Sequence, residues 1–334
     1  MKSILITGTA GFIGFHIAKL LLEEGFTIHG YDGMTDYYDV NLKKARHEIL
    51  SKYPNFSSTI GMLEDQQKLN DLAIKFQPTI IIHLAAQAGV RYSLENPRAY
   101  INSNIIGTFN VMEIAKKLNV KHLLMASTSS VYGSNLKMPF AETEKADIQL
   151  TIYSSTKKAN ESMAHSYSYL WKIPTTMFRF FTVYGPWGRP DMALFKFVSS
   201  ILNNKPIDIY NNGEMYRDFT YIDDLVYGIK LLIETVPSEN KNIISSDSLS
   251  PVAPYRVVNI GNSNKVNLID FVDTIEDILK KKAIRNYMPM QKGDVKATWS
   301  DCSLLKNLTN YSPKTNFRDG ILKFIEWYRD YYNV

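Results

Sequence analysis

The chain has 334 residues, of which 45% are hydrophobic and 21% are charged, as in ordinary globular proteins with one large domain or two interlocked ones. The formal net charge of +5 is mild and the basic residues are scattered, so a small anionic ligand is a better candidate partner than nucleic acid. Cys302 is the only cysteine, which excludes an intramolecular disulfide and a multi-cysteine metal site, and no metal is expected.

No membrane partner is expected, because no stretch approaches the roughly 20 apolar residues that a membrane span requires. The first apolar run is broken by Gly8 too early for a signal peptide. A single cysteine also suits a reducing compartment. The sequence therefore predicts a cytoplasmic protein.

Short β-branched runs alternate with helical patterns through the first half of the chain. Strands are predicted at residues 4–7, 27–31, 79–84, 122–127 and 175–181. Ile13, Ile17 and Leu20 recur at helical spacing between the first two of them. The run of residues 79–82 does not alternate, which is typical of parallel strands covered on both faces. This order predicts an α/β fold, a Rossmann-type doubly wound parallel sheet with ligands above the carboxyl ends of its strands.

The strand and helix alternation loosens after residue 181. Separate helices are predicted at residues 223–236, 268–282 and 318–331. We therefore expect a dinucleotide-binding domain at residues 1–180 and a smaller substrate-binding lobe at 181–334, with segments around 218–260 returning to the first domain. The stretch 238–254 is rich in Ser and Asn and is predicted to be a surface loop.

A glycine loop, Gly8-Thr9-Ala10-Gly11-Phe12-Ile13-Gly14, lies between the first predicted strand and helix. Glycines there permit a tight turn and let backbone N–H groups, including those of Phe12 and Ile13, approach a pyrophosphate at the helix N-terminus. Asp32 ends the second strand, where a carboxylate can accept from both adenosine ribose hydroxyls and repel a 2′-phosphate. The alternative is a turn aspartate before Gly33. The pattern predicts NAD rather than NADP.

A hydroxyl cluster, Thr128-Ser129-Ser130-Val131-Tyr132-Gly133, precedes the pair Tyr153 and Lys157. Positions i and i+4 share a helix face, so the ammonium can lie near the phenol and stabilise a phenolate that acts as general base. Alone, such a pair is a weak signal in a chain with 21 tyrosines. After a glycine loop and a hydroxyl cluster it indicates hydride chemistry on a sugar-like alcohol.

At this point the chain resembles the extended short-chain dehydrogenase/reductase superfamily, and within it the UDP-glucuronate 4-epimerase family. The resemblance covers nearly the whole chain. Its long motifs are Asp36-Tyr37-Tyr38-Asp39, residues 83–91, residues 178–192, Arg217-Asp218-Phe219-Thr220-Tyr221 and Gly293-Asp294-Val295.

The resemblance implies a role for each matching position. Tyr153 is similar to the family's base, Lys157 binds the nicotinamide ribose and lowers the phenol pKa, and Thr128 bonds the reacting hydroxyl. The remaining implied positions are Arg217 for the UDP phosphates, Asp294 for the uridine-side ribose, and Ala85 with Asn104 for the wall of the cofactor cleft. Met62 stands where the family usually has an aspartate that contacts adenine, so the thioether is expected to pack on the base, with Leu63 offering backbone contacts.

Related dehydratases and decarboxylases carry an acidic residue where this chain has Ser129 or Ser130, and serine cannot do that acid–base work near pH 7. Thr182 replaces the Asn of hexose epimerases, and Arg189 offers a guanidinium fork suited to a C6 carboxylate. The alternative for Arg189 is an interlobe salt bridge. The resemblance implies NAD-dependent interconversion of UDP-glucuronate and UDP-galacturonate through a 4-keto intermediate.

Several alternatives stay open. The substrate can instead be a UDP-hexose or UDP-N-acetylhexosamine, or the outcome can be decarboxylation of UDP-glucuronate. A reading from a different class is a noncatalytic NAD-sensing module. The resemblance further implies a homodimer through residues 100–118 and 154–171, whose apolar faces are equally compatible with plain core.

Overall fold

The structure is a computed structural model and describes residues 3–239 and 247–334. Its strands in chain order are β1 (Ser3–Thr7), β2 (Thr27–Asp32), β3 (Phe56–Ile60), β4 (Ile80–His83), β5 (His122–Thr128), β6 (Thr175–Phe180), β7 (Thr182–Tyr184), β8 (Pro206–Tyr210), β9 (Tyr216–Tyr221), β10 (Tyr255–Ile260), β11 (Lys265–Asn267), β12 (Ile284–Met288) and β13 (Ala297–Thr298).

The helices follow the same numbering. They are α1 (Phe12–Glu23), α2 (Val40–Ser51), α3 (Gln66–Phe76), α4 (Tyr92–Glu95), α5 (Pro97–Tyr100), α6 (Thr108–Lys117), α7 (Ile152–Trp171), α8 (Ala193–Leu202), α9 (Ile222–Glu234), α10 (Leu268–Leu279), α11 (Ser303–Thr309) and α12 (Phe317–Tyr332), with a π-helical segment at Ile101–Gly107.

A seven-stranded parallel sheet forms the centre, in the order β10-β6-β5-β4-β1-β2-β3. The chain leaves β1 toward one edge through β2 and β3, and then returns to start β4 on the other side of β1. In such a sheet the crevice at this reversal, outside the carboxyl ends of the strands, is where dinucleotides bind. The fold places the glycine loop that follows β1 at this crevice.

Side chains of the central strands alternate between two apolar layers. Ile4 and Ile6 pack into one buried cluster, whereas Leu5 packs into the other. Ile81 likewise faces the opposite layer from its neighbours Ile80 and Ile82. Both faces of the sheet are thus covered, which explains the continuous apolar runs in the sequence.

The predicted α/β class and the doubly wound sheet are confirmed. Each of the five predicted strands is present, with bounds within one residue. Of the three later predicted helices, α10 departs most, because it ends at Leu279, where Lys280 takes a left-handed φ of 54°. Two strands of the central sheet, β3 and β10, were not predicted.

The residues after Phe180 build the second part of the molecule. Strands β7, β9, β11 and β13 form one small sheet, and β8 pairs with β12 in another. Two elements pack back on the first part, because β10 pairs with β6 and α9 packs against α1. The predicted domain boundary at residue 180 stays a prediction.

The predicted surface loop at residues 238–254 is described only in part, since residues 240–246 lie outside the described residues. The prediction is wrong for the end of the stretch, where Leu249 and Ala253 are buried. The cause is β10, a strand that brings this segment against the core. Within the described residues, no helix has both the length and the apolar character needed to cross a membrane.

Candidate active site

A cleft of about 770 Å³ extends across the carboxyl ends of the central strands. It brings together nearly every site residue predicted from the sequence. Its walls include Gly8, Gly11, Phe12, Ile13, Gly14, Asp32, Leu63, Ala85, Thr128, Ser129, Ser130, Tyr153, Lys157, Thr182, Arg189, Arg217 and Asp294.

The glycine loop is shaped by contacts that only glycine permits. Gly8 has a φ of +84°, and a Cβ there would lie 2.8 Å from the Ala85 backbone nitrogen. A Cβ on Gly14 would lie 2.0 Å from the Gly8 carbonyl oxygen. No side chain caps α1, so the N–H groups of Phe12 and Ile13 have no partner within the helix. The loop therefore presents free backbone donors and a helix N-terminus, which suits a pyrophosphate.

Asp32 is held in place by backbone donors. One carboxylate oxygen accepts from the Ala10 N–H at 2.9 Å and the other accepts from the Met34 N–H at 2.8 Å. Asp32 does stabilise the turn that follows it, as the alternative interpretation expected. Each carboxylate oxygen nevertheless keeps a further lone pair for a ribose hydroxyl. Asp32 both braces the glycine loop and lines the cleft.

The prediction that Asn104 lines the cofactor cleft is corrected by the structure. Asn104 is fully buried within the π-helical segment. Its side chain accepts from the Gln87 N–H at 2.8 Å and donates to the Gln87 carbonyl and to Thr156. These bonds use its amide group, so Asn104 fixes the loop that follows Ala85 rather than touching the cleft.

The N-terminal turn of α7 positions the predicted catalytic pair. Thr151 caps the helix by accepting from the Ser154 N–H at 3.2 Å, in a capping box. Tyr153 follows in the first turn, and Lys157 lies one turn further on, only 2% exposed. Thr128, the last residue of β5, lies close to the phenol, and a hydrogen bond from its hydroxyl would favour the phenolate and lower the pKa of Tyr153.

Burial dominates the electrostatics of this pair. It raises the pKa of Tyr153, whereas the Thr128 hydrogen bond and the Arg189 charge lower it. Burial also lowers the pKa of Lys157 to about 8, against the opposing effect of Glu161. Thr128 and Arg189 thus favour the phenolate, and the contribution of Lys157 to the phenol pKa stays a prediction.

The sugar end of the cleft is lined by hydroxyl groups. Ser129 and Ser130 form a 3₁₀ turn after β5, and the Ser130 N–H donates to the Thr128 hydroxyl at 3.2 Å. Thr182 lies across the cleft at the start of β7. The carboxylates that line the cleft are Asp32, Asp36, Glu64 and Asp294. None of the four belongs to the segments that carry Thr128 and Tyr153.

Arg189 has a carboxylate partner of its own, Asp191. The Nε and Nη2 groups of Arg189 both donate to it, with the Nε contact at 3.0 Å, and the Tyr37 hydroxyl donates to it at 3.2 Å. The nearby guanidinium holds the pKa of Asp191 below its usual value although burial opposes this. Arg189 thus forms its salt bridge with a residue two positions away, and not with the other lobe as the alternative had it. Its Nη1 group is left for a ligand.

Arg217 and Asp294 meet at the far end of the cleft. Burial lowers the pKa of the Arg217 guanidinium, Asp294 raises it and Arg91 lowers it. Asp294 also accepts from the Arg91 Nη2 group at 3.2 Å. Sequence reasoning gave Arg91 no role, since its partner lies on a distant segment.

A second residue missed by sequence reasoning is Arg46, a fully buried side chain of α2. Its Nη1 group donates to the Ala10 carbonyl of the glycine loop at 2.8 Å. Its Nη2 group donates to the carbonyl of Trp187 at 2.6 Å, in the turn before Arg189. Arg46 therefore ties the two ends of the site together.

This doubly wound sheet, with a tyrosine and a lysine one helical turn apart beside its dinucleotide crevice, defines an extended short-chain dehydrogenase/reductase. The family model described as GDP-mannose 4,6 dehydratase matches residues 5–324. A probable UDP-glucuronate 4-epimerase of Rhizobium meliloti (strain 1021) is 55% identical over 331 residues, which are 98% of this chain and 97% of that protein.

Two further similarities point the same way. UDP-glucuronate 4-epimerase 1 of Arabidopsis thaliana is 44% identical over 335 residues, 99% of this chain and 77% of that protein. The crystal structure of UDP-glucuronic acid 4-epimerase from Bacillus cereus, in complex with UDP-glucuronic acid and NAD, matches with a TM-score of 0.89 at 32% identity, covering 99% of this chain and 100% of that one. The chain belongs to the UDP-glucuronate 4-epimerase family, which confirms the resemblance found in its motifs.

Proposed function

We propose that the protein binds NAD and interconverts UDP-glucuronate and UDP-galacturonate by reversible oxidation at C4 of the sugar. The residues of the cleft fit this cofactor. The free N–H groups after Gly11 suit the pyrophosphate, and the fixed carboxylate of Asp32 suits the adenosine ribose. When bound in this crevice, NAD supplies a reversible hydride acceptor for the C4 carbon.

Tyr153 is proposed as the acid–base group of the reaction. Thr128 and Arg189 favour its phenolate, against the burial that raises its pKa. The phenolate accepts the C4 hydroxyl proton and, after the 4-keto sugar has turned over in the cleft, the phenol returns a proton to the C4 oxygen. Thr128 donates to the 4-keto oxygen, and Lys157 binds the nicotinamide ribose. Because the sugar is oxidised and then reduced within one site, the cofactor is regenerated in each turnover.

The hydroxyl side chains at positions 129, 130 and 182 support epimerisation over the related outcomes. Ser129, Ser130 and Thr182 cannot act as carboxyl acids at C5 or C6 near neutral pH. A 4-keto uronate is a β-keto acid that loses CO₂ when its C5–C6 bond aligns with the carbonyl π system. We propose that the three hydroxyls and Arg189 hold the carboxylate out of that alignment.

The observation that carries the proposal is the convergence of Tyr153, Thr128 and the glycine loop on one cleft, with Ser129, Ser130 and Thr182 where the related enzymes use other groups. The test is proton NMR of purified protein incubated with UDP-glucuronate. The expected product is UDP-galacturonate, identified by the coupling pattern of H4. UDP-glucose and UDP-N-acetylglucosamine are incubated in parallel.

Each alternative gives a different spectrum. Epimerisation of the neutral sugars and not of the uronate would assign the protein to hexose or N-acetylhexosamine substrates. A pentose product with released CO₂ would assign decarboxylation. A noncatalytic NAD-sensing module would give no product with any sugar and would be indifferent to Tyr153→Phe.

We further propose that two copies associate through α6, α7 and the π-helical segment. Exposed apolar side chains lie on these helices, including Ile106, Phe109 and Ile152. A two-fold dimer would cover them on both copies. Light scattering after gel filtration should give twice the chain mass, and Phe109→Glu should give monomers; a wild-type monomer would refute the dimer.

A cytoplasmic location completes the proposal. Cys302 is a buried free thiol, and burial raises its pKa to about 12. Such a group suits a reducing compartment. Fractionation of the source cells, with the protein recovered from the membrane or an exported fraction, would contradict it.

A further inference from the structure

The Arg91 side chain joins the two parts of the molecule at the mouth of the cleft. Arg91 precedes α4, in the loop that follows the central strand β4. Its Nη2 group donates to the Asp294 carboxylate at 3.2 Å, across 203 positions of sequence. Its guanidinium also lies over the ring of Tyr210, 4.4 Å from the ring centre, at the end of β8 in the second part.

The segment that carries Asp294 lies directly against the first part. Gly293 has a φ of +81°, and a Cβ there would lie 2.9 Å from the Thr151 side chain and 3.2 Å from Val90. Asp294 and Val295 line the cleft beside it. The Arg91–Asp294 pair therefore lies beside the nucleotide end of the cleft.

This pair involves the carboxylate that the resemblance assigns to the uridine-side ribose. Arg91 uses one oxygen of the Asp294 carboxylate, and a ribose hydroxyl that approaches the same oxygen would compete with Arg91 for it. Arg91 and Arg217 also lie close enough for their positive charges to repel. The negative charge of Asp294 attracts both. Two guanidiniums and one carboxylate leave one net positive charge, which a diphosphate with two or more negative charges complements.

We infer that Arg91 is a second diphosphate ligand, held by Asp294 until the ribose of the incoming nucleotide takes that carboxylate. The inference rests on the proposed function, because it assigns one more ligand to the same UDP-sugar. On binding, the Asp294 oxygen exchanges Arg91 for a ribose hydroxyl. The released guanidinium then faces Arg217 across the diphosphate, and both cations donate to phosphate oxygens.

The test separates phosphate binding from ribose binding. Isothermal titration of the NAD-loaded protein is done with UDP and with uridine, for wild type and Arg91→Ala. UDP should bind the variant at least about 10-fold more weakly, because a charge-assisted hydrogen bond is lost. Uridine should bind it as well as wild type or better, because Asp294 is no longer occupied.

Three results would overturn the inference. If Arg91→Ala binds UDP as tightly as wild type, Arg91 does not contact the phosphates. Equal weakening of UDP and uridine would mean that Arg91 only supports the structure of the cleft. Lys296→Ala is the matched control, because Lys296 is an exposed cation two residues from Asp294 that pairs with Glu214. If this variant loses as much UDP affinity as Arg91→Ala, the effect comes from net charge and not from a contact with Arg91.

Two further measurements keep the inference apart from the proposed function. Arg91→Lys should recover part of the UDP affinity lost in Arg91→Ala, since it restores the charge without the fork; no recovery of any kind would count against a phosphate contact. A wild-type protein that binds neither UDP nor uridine would instead sink the proposed function itself. Turnover is needed for neither measurement.

Discussion

The two ends of the cleft are built by different means. The cofactor end consists largely of backbone, where Gly8 and Gly14 bring the loop close to its surroundings and donors at the start of α1 are free. The sugar and nucleotide end consists of charged side chains that already have partners, Arg189 with Asp191 and Arg91 with Asp294. One end is therefore preformed, whereas the other must exchange ion-pair partners for ligand groups.

The largest expected effect comes from the group at which the two ends meet. Tyr153→Phe removes the acid–base group and should lower kcat about 10²- to 10⁴-fold, the range that such catalysis supplies. Tyr153 is also predicted to contact the cofactor, but NAD retention should change little, because the glycine loop and Asp32 are untouched. Rates are measured by NMR, and bound NAD by absorbance after denaturation; an unchanged rate would eliminate Tyr153 as the base.

Gly14→Ala tests whether the cofactor end is as rigid as its backbone suggests. The added Cβ would meet the Gly8 carbonyl at 2.0 Å, a contact that no side-chain movement can relieve. We expect at least about 10-fold weaker NAD binding, equal to at least about 1.4 kcal/mol. Gly228→Ala in α9 is the control, since its nearest neighbour would lie 3.7 Å away. Equal NAD affinity in the two variants would show that the glycine loop can move enough to accommodate the added Cβ.

Arg189→Ala tests the exchange of partners at the sugar end. It removes the guanidinium for the uronate and leaves the Asp191 carboxylate without its cation, so kcat/KM for UDP-glucuronate should fall about 10-fold or more. Because Arg189 also lowers the pKa of Tyr153, the acid limb of the kcat profile should move to higher pH. Unaltered uronate kinetics would contradict the assignment. Arg189→Lys, which keeps the charge but not the fork, should shift the profile less.

The last prediction concerns stability and not turnover, at the carboxyl of Glu142. Burial raises the pKa of Glu142 to about 7, and its carboxylate accepts from the Asn259 N–H at 2.7 Å. The folded state therefore binds more protons than the unfolded state between about pH 4.5 and 7, so this group's stabilisation is lost as pH rises through that window.

Glu142→Gln should remove this dependence. From pH 5 to pH 8 the stability of the variant relative to wild type should rise by on the order of 2 kcal/mol, because only wild type loses this group's stabilisation across that range. Denaturant titrations at the two pH values measure it. Glu144→Gln, on the same loop, is the control. The same pH dependence in Glu142→Gln and wild type would refute the buried titration.

The cofactor end could be predicted from sequence because its information is local. The glycine loop and Asp32 stand at the ends of adjacent strands, and Tyr153 and Lys157 share one helix. The central strands were equally visible as apolar runs. Their neighbour β3 was not, because its five residues include two serines and a threonine and lie partly exposed at the edge of the sheet.

The rest of the site depends on contacts between distant segments, which no local pattern shows. Arg91 meets Asp294 across 203 positions, and β10 enters the sheet after a long excursion through the second part. The misplacement of Asn104 has the same cause, because its burial depends on Gln87 and Thr156. A motif identifies such residues but does not reveal whether they face the ligand or support a neighbour that does.

Arg46 makes the two ends interdependent. One buried guanidinium bonds the Ala10 carbonyl on the cofactor side and the Trp187 carbonyl next to Arg189 on the sugar side. If heating loosens either loop, Arg46 loses one of its partners and holds the other loop less firmly. NAD binding and discrimination between sugars should therefore be lost together, with the same dependence on temperature.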